Sequence, residues 1–194
     1  RGKSYIPDVP TSDVEKFHGA GLLSATRDAS VLKDMDTINI CVPTPLRKTK
    51  DPDMSFVVSA VEQVAKYLRR GQLVILESTT YPGTTTQVLK PILEQTGLKS
   101  GIDFYIGYSP EREDPGNTAF NTVTVPKVVS GDGDEAKTLA EIFYAAVVKK
   151  VVPVGDSAVA VVADTWWHAK TALDALPIIW DEGENAKVSS ASIA

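Results

Sequence analysis

The sequence is poor in the residues from which most small sites are built. Of its 194 residues one is a cysteine, Cys41, and two are histidines, His18 and His168. A single thiol excludes an internal disulfide and any zinc site made of several thiolates, and it suits a reducing cytoplasm. The histidines are far apart in the chain, lack metal-ligand spacing and read as surface residues, so no metal site is expected. Positive charge is not in excess either: 20 Lys and Arg against 25 Asp and Glu leave a formal net charge of -5. Nucleic-acid binders usually present a basic face, so no nucleic-acid partner is expected. Long apolar runs are missing too. The longest, Ile142 to Val148, makes about two helical turns, against the ~20 residues a bilayer span needs, so no membrane partner is expected. The chain opens on Arg1-Gly2-Lys3-Ser4-Tyr5, with no initiator Met, signal-peptide pattern or strand, and so reads as the start of a fragment.

What is present is ordinary globular composition, 43% hydrophobic and 23% charged. The length suits one domain of roughly 100–200 residues, or one with an appendage. Thr11 or Ser12 can cap a short helix through Phe17, stopped by Gly19 and Gly21. Leu22 to Thr26 reads as a weak strand and Ala29 to Met35 as one or two helical turns. Thr37 to Val42 is a β-branched strand ended by Pro43 and Pro45. From Met54 to Arg70, Phe56, Val57, Ala60, Val61, Val64 and Leu68 recur at helical spacing, and Gly71 closes the helix. Leu73 to Leu76 is the continuous apolar run of a strand buried on both faces. A helix opens at Gly83-Thr84-Thr85 and runs to Leu93, with Pro91 kinking or dividing it. Phe104 to Tyr108 and Lys127 to Ser130 are strands, and Asp132 to Tyr144 is a helix with Leu139, Ile142 and Phe143 on one side. Beyond about Val148 the character changes: all three tryptophans lie there, with a strand at Ala158–Ala163, a helix capped by Asp164 and a short strand at Ile178–Trp180.

Alternating apolar strands and helices predict a parallel sheet covered on both faces, with ligands bound beyond the carboxyl ends of the strands. Three turns leave those ends: Cys41 to Pro45, Glu77 to Thr85 and Ser109 to Asn117. They should meet along one edge. In the second, Thr79, Thr80, Thr84 and Thr85 put hydroxyls beside free helix amides, which either cap the helix or bind phosphate or ribose. In the third, Glu111, Arg112, Glu113 and Asp114 form either a solvated charged loop or the carrier of an acid–base carboxylate. Glu111, nearest the strand end, is the candidate. Cys41 lies at the end of an apolar strand and is expected to be a buried structural thiol. Gly131-Asp132-Gly133-Asp134-Glu135-Ala136 formally matches G-x-G-x-x-A, but its acids would repel a pyrophosphate, so it reads as a capped turn.

Lys3 to Pro10, Cys41 to Pro45, Glu77 to Thr85, Ser109 to Asn117 and Pro126 to Val129 resemble, in order, motifs of the UDP-glucose/GDP-mannose dehydrogenase family, above all its UDP-N-acetyl-hexosamine 6-dehydrogenases. The resemblance covers about residues 2 to 147. It implies a truncated Rossmann-like α/β domain, NAD as cofactor and a UDP-sugar as substrate. In that family a C6 alcohol is oxidised to a carboxylate through a cysteine thiohemiacetal and thioester. It further implies that Val42, Pro43, Thr44, Thr79 and Thr80 line the NAD site and that Glu111 is the carboxylate near the reacting sugar. The family's glycine-rich loop and its Gly-Gly-His-Cys cysteine have no counterpart here. Weak or absent NAD binding and no turnover by the isolated chain are therefore expected, with self-association through an exposed sheet edge near Thr37–Val42 or the Leu22 strand. Residues 148 to 194, a small α+β segment, resemble instead the molybdopterin-binding subunit of xanthine-dehydrogenase-like hydroxylases. That resemblance rests on Asp164 to Lys170, Ala172 to Leu176 and Trp180 to Gly183, and it implies a fusion of two gene fragments.

Overall fold

A computed structural model describes residues 3–6, 9–48, 51–111, 127–148 and 151–153. The chain divides at Gly155 into units, and every described residue lies in the first. The expected elements between Ala158 and Trp180, and His168, lie outside the described residues.

Five strands form one sheet in the order of the chain: β1 (Thr37–Ile40), β2 (Leu73–Leu76), β3 (Tyr105–Tyr108), β4 (Lys127–Gly131) and β5 (Val151–Pro153). β1, β2 and β3 are parallel, with Ile40 beside Leu76 and Leu76 beside Tyr108. β4 is not. It runs antiparallel to β3, pairing Tyr108 with Ser130, and β5 runs parallel to β4. The sheet is therefore mixed, and the expectation of a wholly parallel sheet is corrected. Mixed sheets with one reversed region are common in α/β folds, and nothing in the apolar pattern of Lys127–Ser130 encodes direction.

Helices cover both faces. α2 (Ser55–Ala65) buries Val57, Val61 and Val64, one stripe at helical spacing, over Ile38, Ile40, Val74, Leu76 and Ile106. Leu89 and Leu93 join the same layer from the next helix. On the other face α4 (Asp134–Ala145) packs Ala140 and Tyr144 against Leu73, Ile75 and Val129. Each such Val, Leu or Ile, fully buried, contributes roughly 1.5–3 kcal/mol relative to exposure. α4 lies so close to β4 that a Cβ on Gly131 would sit 2.1 Å from the backbone nitrogen of Lys137, so only glycine fits there.

Several local expectations are redrawn. α1 (Thr11–Gly19) forms, but it follows Pro10, has no side-chain cap and buries no residue. Residues 22–26 make no strand; Leu22 and Leu23 are exposed, and an apolar run with no neighbouring strand to pair with stays irregular. Pro91 does not break its helix. The chain takes one π-type turn over Thr85–Leu89, where Lys90 N–H donates to the Thr85 carbonyl, and continues as α3 (Lys90–Glu94). The wider turn accommodates a ring that clashes with, and cannot donate to, the turn before it. Among the described residues no helix is long and apolar enough to cross a membrane.

The amino end of the sheet is closed by a saturated polar clasp. Gln72, fully buried just before β2, donates from Nε2 to the carbonyls of Leu32 (2.7 Å) and Met35 (2.6 Å), and its Oε1 accepts from Arg69 N–H (2.8 Å). The Arg69 guanidinium donates to the carbonyls of Lys33 (2.7 Å) and Met35 (3.0 Å) and to the Asp36 carboxylate (2.7 Å). Arg70 pairs with the buried Asp103 at 2.6 Å.

Candidate active site

At the opposite, carboxyl end the strand ladder continues into the turns. Glu77 N–H donates to the Ile40 carbonyl (3.0 Å), Ser109 N–H to Leu76 (3.0 Å) and Glu111 N–H to Glu77 (3.3 Å). The Ser78 hydroxyl accepts from Val42 N–H and donates to the Val42 carbonyl, both at 2.8 Å, locking the first turn to the second. These contacts bring Cys41, Val42, Pro43, Thr44, Glu77, Ser78, Thr79 and Glu111 around one cavity of about 460 Å³.

Of the sequence candidates, Val42, Pro43, Thr44, Thr79 and Glu111 thus share a cavity. Thr80 does not line it. Its hydroxyl lies 2.7 Å from that of Thr84, in a second cavity of about 330 Å³ bordered by Tyr108 and Ser130. Thr84 itself is buried, donates to the Tyr81 carbonyl (2.8 Å) and supplies no side-chain cap to the helix that begins there. Arg112, Glu113 and Asp114 lie outside the described residues.

Cys41 is exposed, which corrects its expected burial. The alternation along β1 buries Ile38 and Ile40 and turns Asn39 outward. One residue further on, Cys41 falls on the face of Asn39, as the period of two requires. Partial desolvation of the thiol, and then the neighbouring Glu77 carboxylate, push Cys41 up from its usual range. It therefore stays protonated and is a weak nucleophile.

Behind the cavity lies a polar cluster that the sequence did not announce. Glu77 Oε1 accepts from Asn39 Nδ2 (2.7 Å) and from the Tyr144 hydroxyl. Burial, and then Glu77, push the Tyr144 phenol up, so it remains a donor. Lys127 Nζ stands 3.6 Å from Glu77 Oε2, 3.3 Å from Glu111 Oε2 and 5.2 Å from the centre of the Tyr144 ring. The lysine side chain is 6% exposed and that of Glu111 46%. Glu111 is thus half-solvated and ion-paired. Strand direction explains why Lys127 was missed. In a parallel sheet the first residue of β4 would lie at the amino end; reversal brings it to the site. A lysine opening an otherwise apolar strand is the signal that was available.

The glycine pattern at 131–136 holds no phosphate cradle. The Asp132 carboxylate accepts from Ser100 Oγ (2.7 Å) and pairs with Lys90 (2.9 Å). Asp134 and Glu135 occupy the first turn of α4, beginning after Gly133 at φ 100, with no side-chain cap. Among the described residues no group of three or more His, Cys, Asp or Glu could hold a metal ion.

The model of the UDP-glucose/GDP-mannose dehydrogenase family, NAD binding domain, matches residues 2–150. Over 133 residues the chain is 38% identical to a UDP-N-acetyl-D-glucosamine 6-dehydrogenase of Pseudomonas aeruginosa, an alignment covering 68% of this chain and 32% of that protein. Over 129 residues it is 40% identical to a UDP-N-acetyl-D-mannosamine dehydrogenase of Pyrococcus horikoshii, covering 66% and 31%. The solved NDP-N-acetyl-D-galactosaminuronic acid dehydrogenase of Methanosarcina mazei superposes with a TM-score of 0.73 at 34% identity, over 79% of this chain and 34% of that one. The chain spans about a third of the length of these relatives. A match that takes in all three turns, the reversed strand and its lysine places the chain in the UDP-glucose/GDP-mannose dehydrogenase family, within its NAD binding domain.

Proposed function

We propose that the cavity at the carboxyl edge is the cofactor-side half of a nucleotide-sugar dehydrogenase site. The observation that carries this reading is the convergence of the Cys41–Thr44 turn, Thr79 and Glu111 on one cavity. Its lining suits a nicotinamide ring and its ribose: Val42 and Pro43 offer apolar wall to a flat ring, while Thr44 and Thr79 offer hydroxyls to polar edges. At about 460 Å³ it takes one end of a dinucleotide rather than the whole. Val42, Pro43, Thr44 and Thr79 would hold that end, with Thr80 behind them steadying the turn through Thr84. Bound NAD would supply the hydride acceptor. Glu111, at the cavity rim, orients a substrate hydroxyl or a water and takes its proton. The substrate class is a UDP-sugar with a C6 alcohol, a reading supported by the names of the relatives.

Cys41, the one thiol of the 194 residues, lies beside the Glu77 carboxylate and is poorly placed for a covalent step; we propose that the 194-residue chain binds NAD weakly and does not complete the oxidation. Mixing it with NAD and a UDP-N-acetyl-hexosamine tests this: no sustained NADH is expected, and steady turnover overturns the reading. We also propose that two copies associate along β1, one of the two edge strands among the described residues. Sheet edges present unpaired backbone groups, and a strict monomer at high concentration would count against the association. For residues 148–194 we propose a separate molybdenum-hydroxylase-like origin, a reading supported by the resemblance of Asp164 to Lys170, Ala172 to Leu176 and Trp180 to Gly183. Mass spectrometry of the protein from its native cells should find peptides that cross this boundary; finding each side only on separate proteins would defeat the idea.

A further inference from the structure

We propose that Lys127 is a positioning residue for Glu111: held in place by Glu77 and Tyr144, its ammonium fixes the Glu111 carboxylate at the rim of the cavity. This rests on the reading of Glu111 as the carboxylate that faces the reacting group. Four elements supply the arrangement. Glu77 follows β2, Glu111 follows β3, Lys127 opens β4 and Tyr144 stands on α4. The ammonium is anchored independently of Glu111, by Glu77 Oε2 at 3.6 Å and by the face of the Tyr144 ring at 5.2 Å. Glu77 in turn is oriented through its other oxygen, which accepts from Asn39 and Tyr144.

Lys127 reaches both carboxylates: its ammonium lies 3.6 Å from Glu77 Oε2 and donates to Glu111 Oε2 at 3.3 Å. Two carboxylates reaching one cavity repel, and a buried cation between them removes that repulsion while constraining where the exposed one points. Because Lys127 itself is 6% exposed, it contributes charge from behind and leaves the cavity surface to Glu111 and the threonines.

The test uses the 194-residue chain with ¹³C- and ¹⁵N-labelled side chains. The Glu111 carboxyl signal is assigned with Glu111→Gln. In Lys127→Met that signal is expected to be displaced from its wild-type position, and in Lys127→Arg to return toward it. Should Lys127→Met fail to fold, the Lys127 ¹⁵Nζ signal is read in Glu111→Gln, a change at a half-exposed side chain. Its displacement supports positioning. A Glu111 signal unmoved in Lys127→Met, or a Lys127 signal unmoved in Glu111→Gln, overturns the inference and leaves Lys127 as a counter-ion of Glu77. Adding NAD with a UDP-sugar separates the two claims: if the wild-type Glu111 signal ignores both ligands while still responding to Lys127→Met, the site reading fails and the positioning stands.

Discussion

The two ends of the sheet are both polar, and they are built differently. At the amino end Gln72 and Arg69 donate into backbone carbonyls of the preceding turn, and Arg69 also holds the exposed Asp36 carboxylate at the surface, away from any described cavity. At the carboxyl end Glu77, Lys127 and Tyr144 interact with one another, and one member, Glu111, stands half in solvent at a cavity. The first network is closed and holds elements together. The second is open on one side, which is what a site requires. Every hydrogen bond of the buried Gln72 side chain is made to the backbone, which stabilises, whereas the carboxyl-end cluster reaches Glu111, a half-exposed carboxylate beside a cavity, which can act on a ligand.

Breaking the closed end should produce the largest effect. Gln72→Ala removes the acceptor of the Arg69 amide and one of the two donors to each of the Leu32 and Met35 carbonyls, at a cost of about 2–3 kcal/mol by urea denaturation. The Cys41 alkylation rate, a reporter of the other end, should stay as in wild type. A stability loss under about 1 kcal/mol would show that the clasp is replaceable by water.

At the open end Glu77→Gln keeps the shape and an acceptor for Asn39 but removes the charge. About 1–2 kcal/mol of stability should be lost, less than at the clasp, because Lys127 keeps Glu111. Since the Glu77 carboxylate helps to push the Cys41 thiol up, its removal lowers the thiol's pKa. Alkylation by iodoacetamide near pH 8 should then run several-fold faster; an unchanged rate would remove Glu77 from the electrostatics of the cavity.

The smallest effect is expected at neither end. Asp53, beside the start of α2, accepts from Ser55 N–H and from Arg47, which hold its carboxyl down at about 2. Its folded pKa lies below the usual aspartate value of 3.8. Its contribution is therefore present above that value and lost as pH falls through about 2. Asp53→Asn should lower the melting temperature slightly at pH 7, with the difference from wild type closing in strong acid. A difference that persists at low pH would mean the hydrogen bond rather than the charge is responsible.

Strong local signals were legible in the sequence. The unbroken run Leu73–Leu76 forms β2 over the same residues because a strand buried on both faces needs no alternation. Val57, Val61 and Val64 form the buried stripe of α2, although the helix stops at Ala65 and unwinds through tighter turns to Gly71 at φ 83. The convergence of the Cys41, Glu77 and Glu111 turns followed from the order of strands and helices. Features set by long-range geometry were not legible. The direction of β4 depends on pairing with β3, and with it went the place of Lys127. The short β5 pairs with β4 despite ending on Pro153, a residue that argues against a strand when read alone. Cys41 was misplaced by weighing the apolar character of its strand above the alternation that Asn39 already displayed.

The central claim is that the open end, and not the closed one, meets the cofactor. Titrating NAD into the ¹⁵N-labelled chain tests it most directly, with the amides of Val42, Thr44, Thr79 and Glu111 compared against those of Leu32, Met35 and Gln72. Shifts that grow with NAD at the first set while the second stays still are the predicted result. Shifts confined to the amino-end set, or none at Val42, Thr44 and Thr79 up to high NAD concentration, would contradict it.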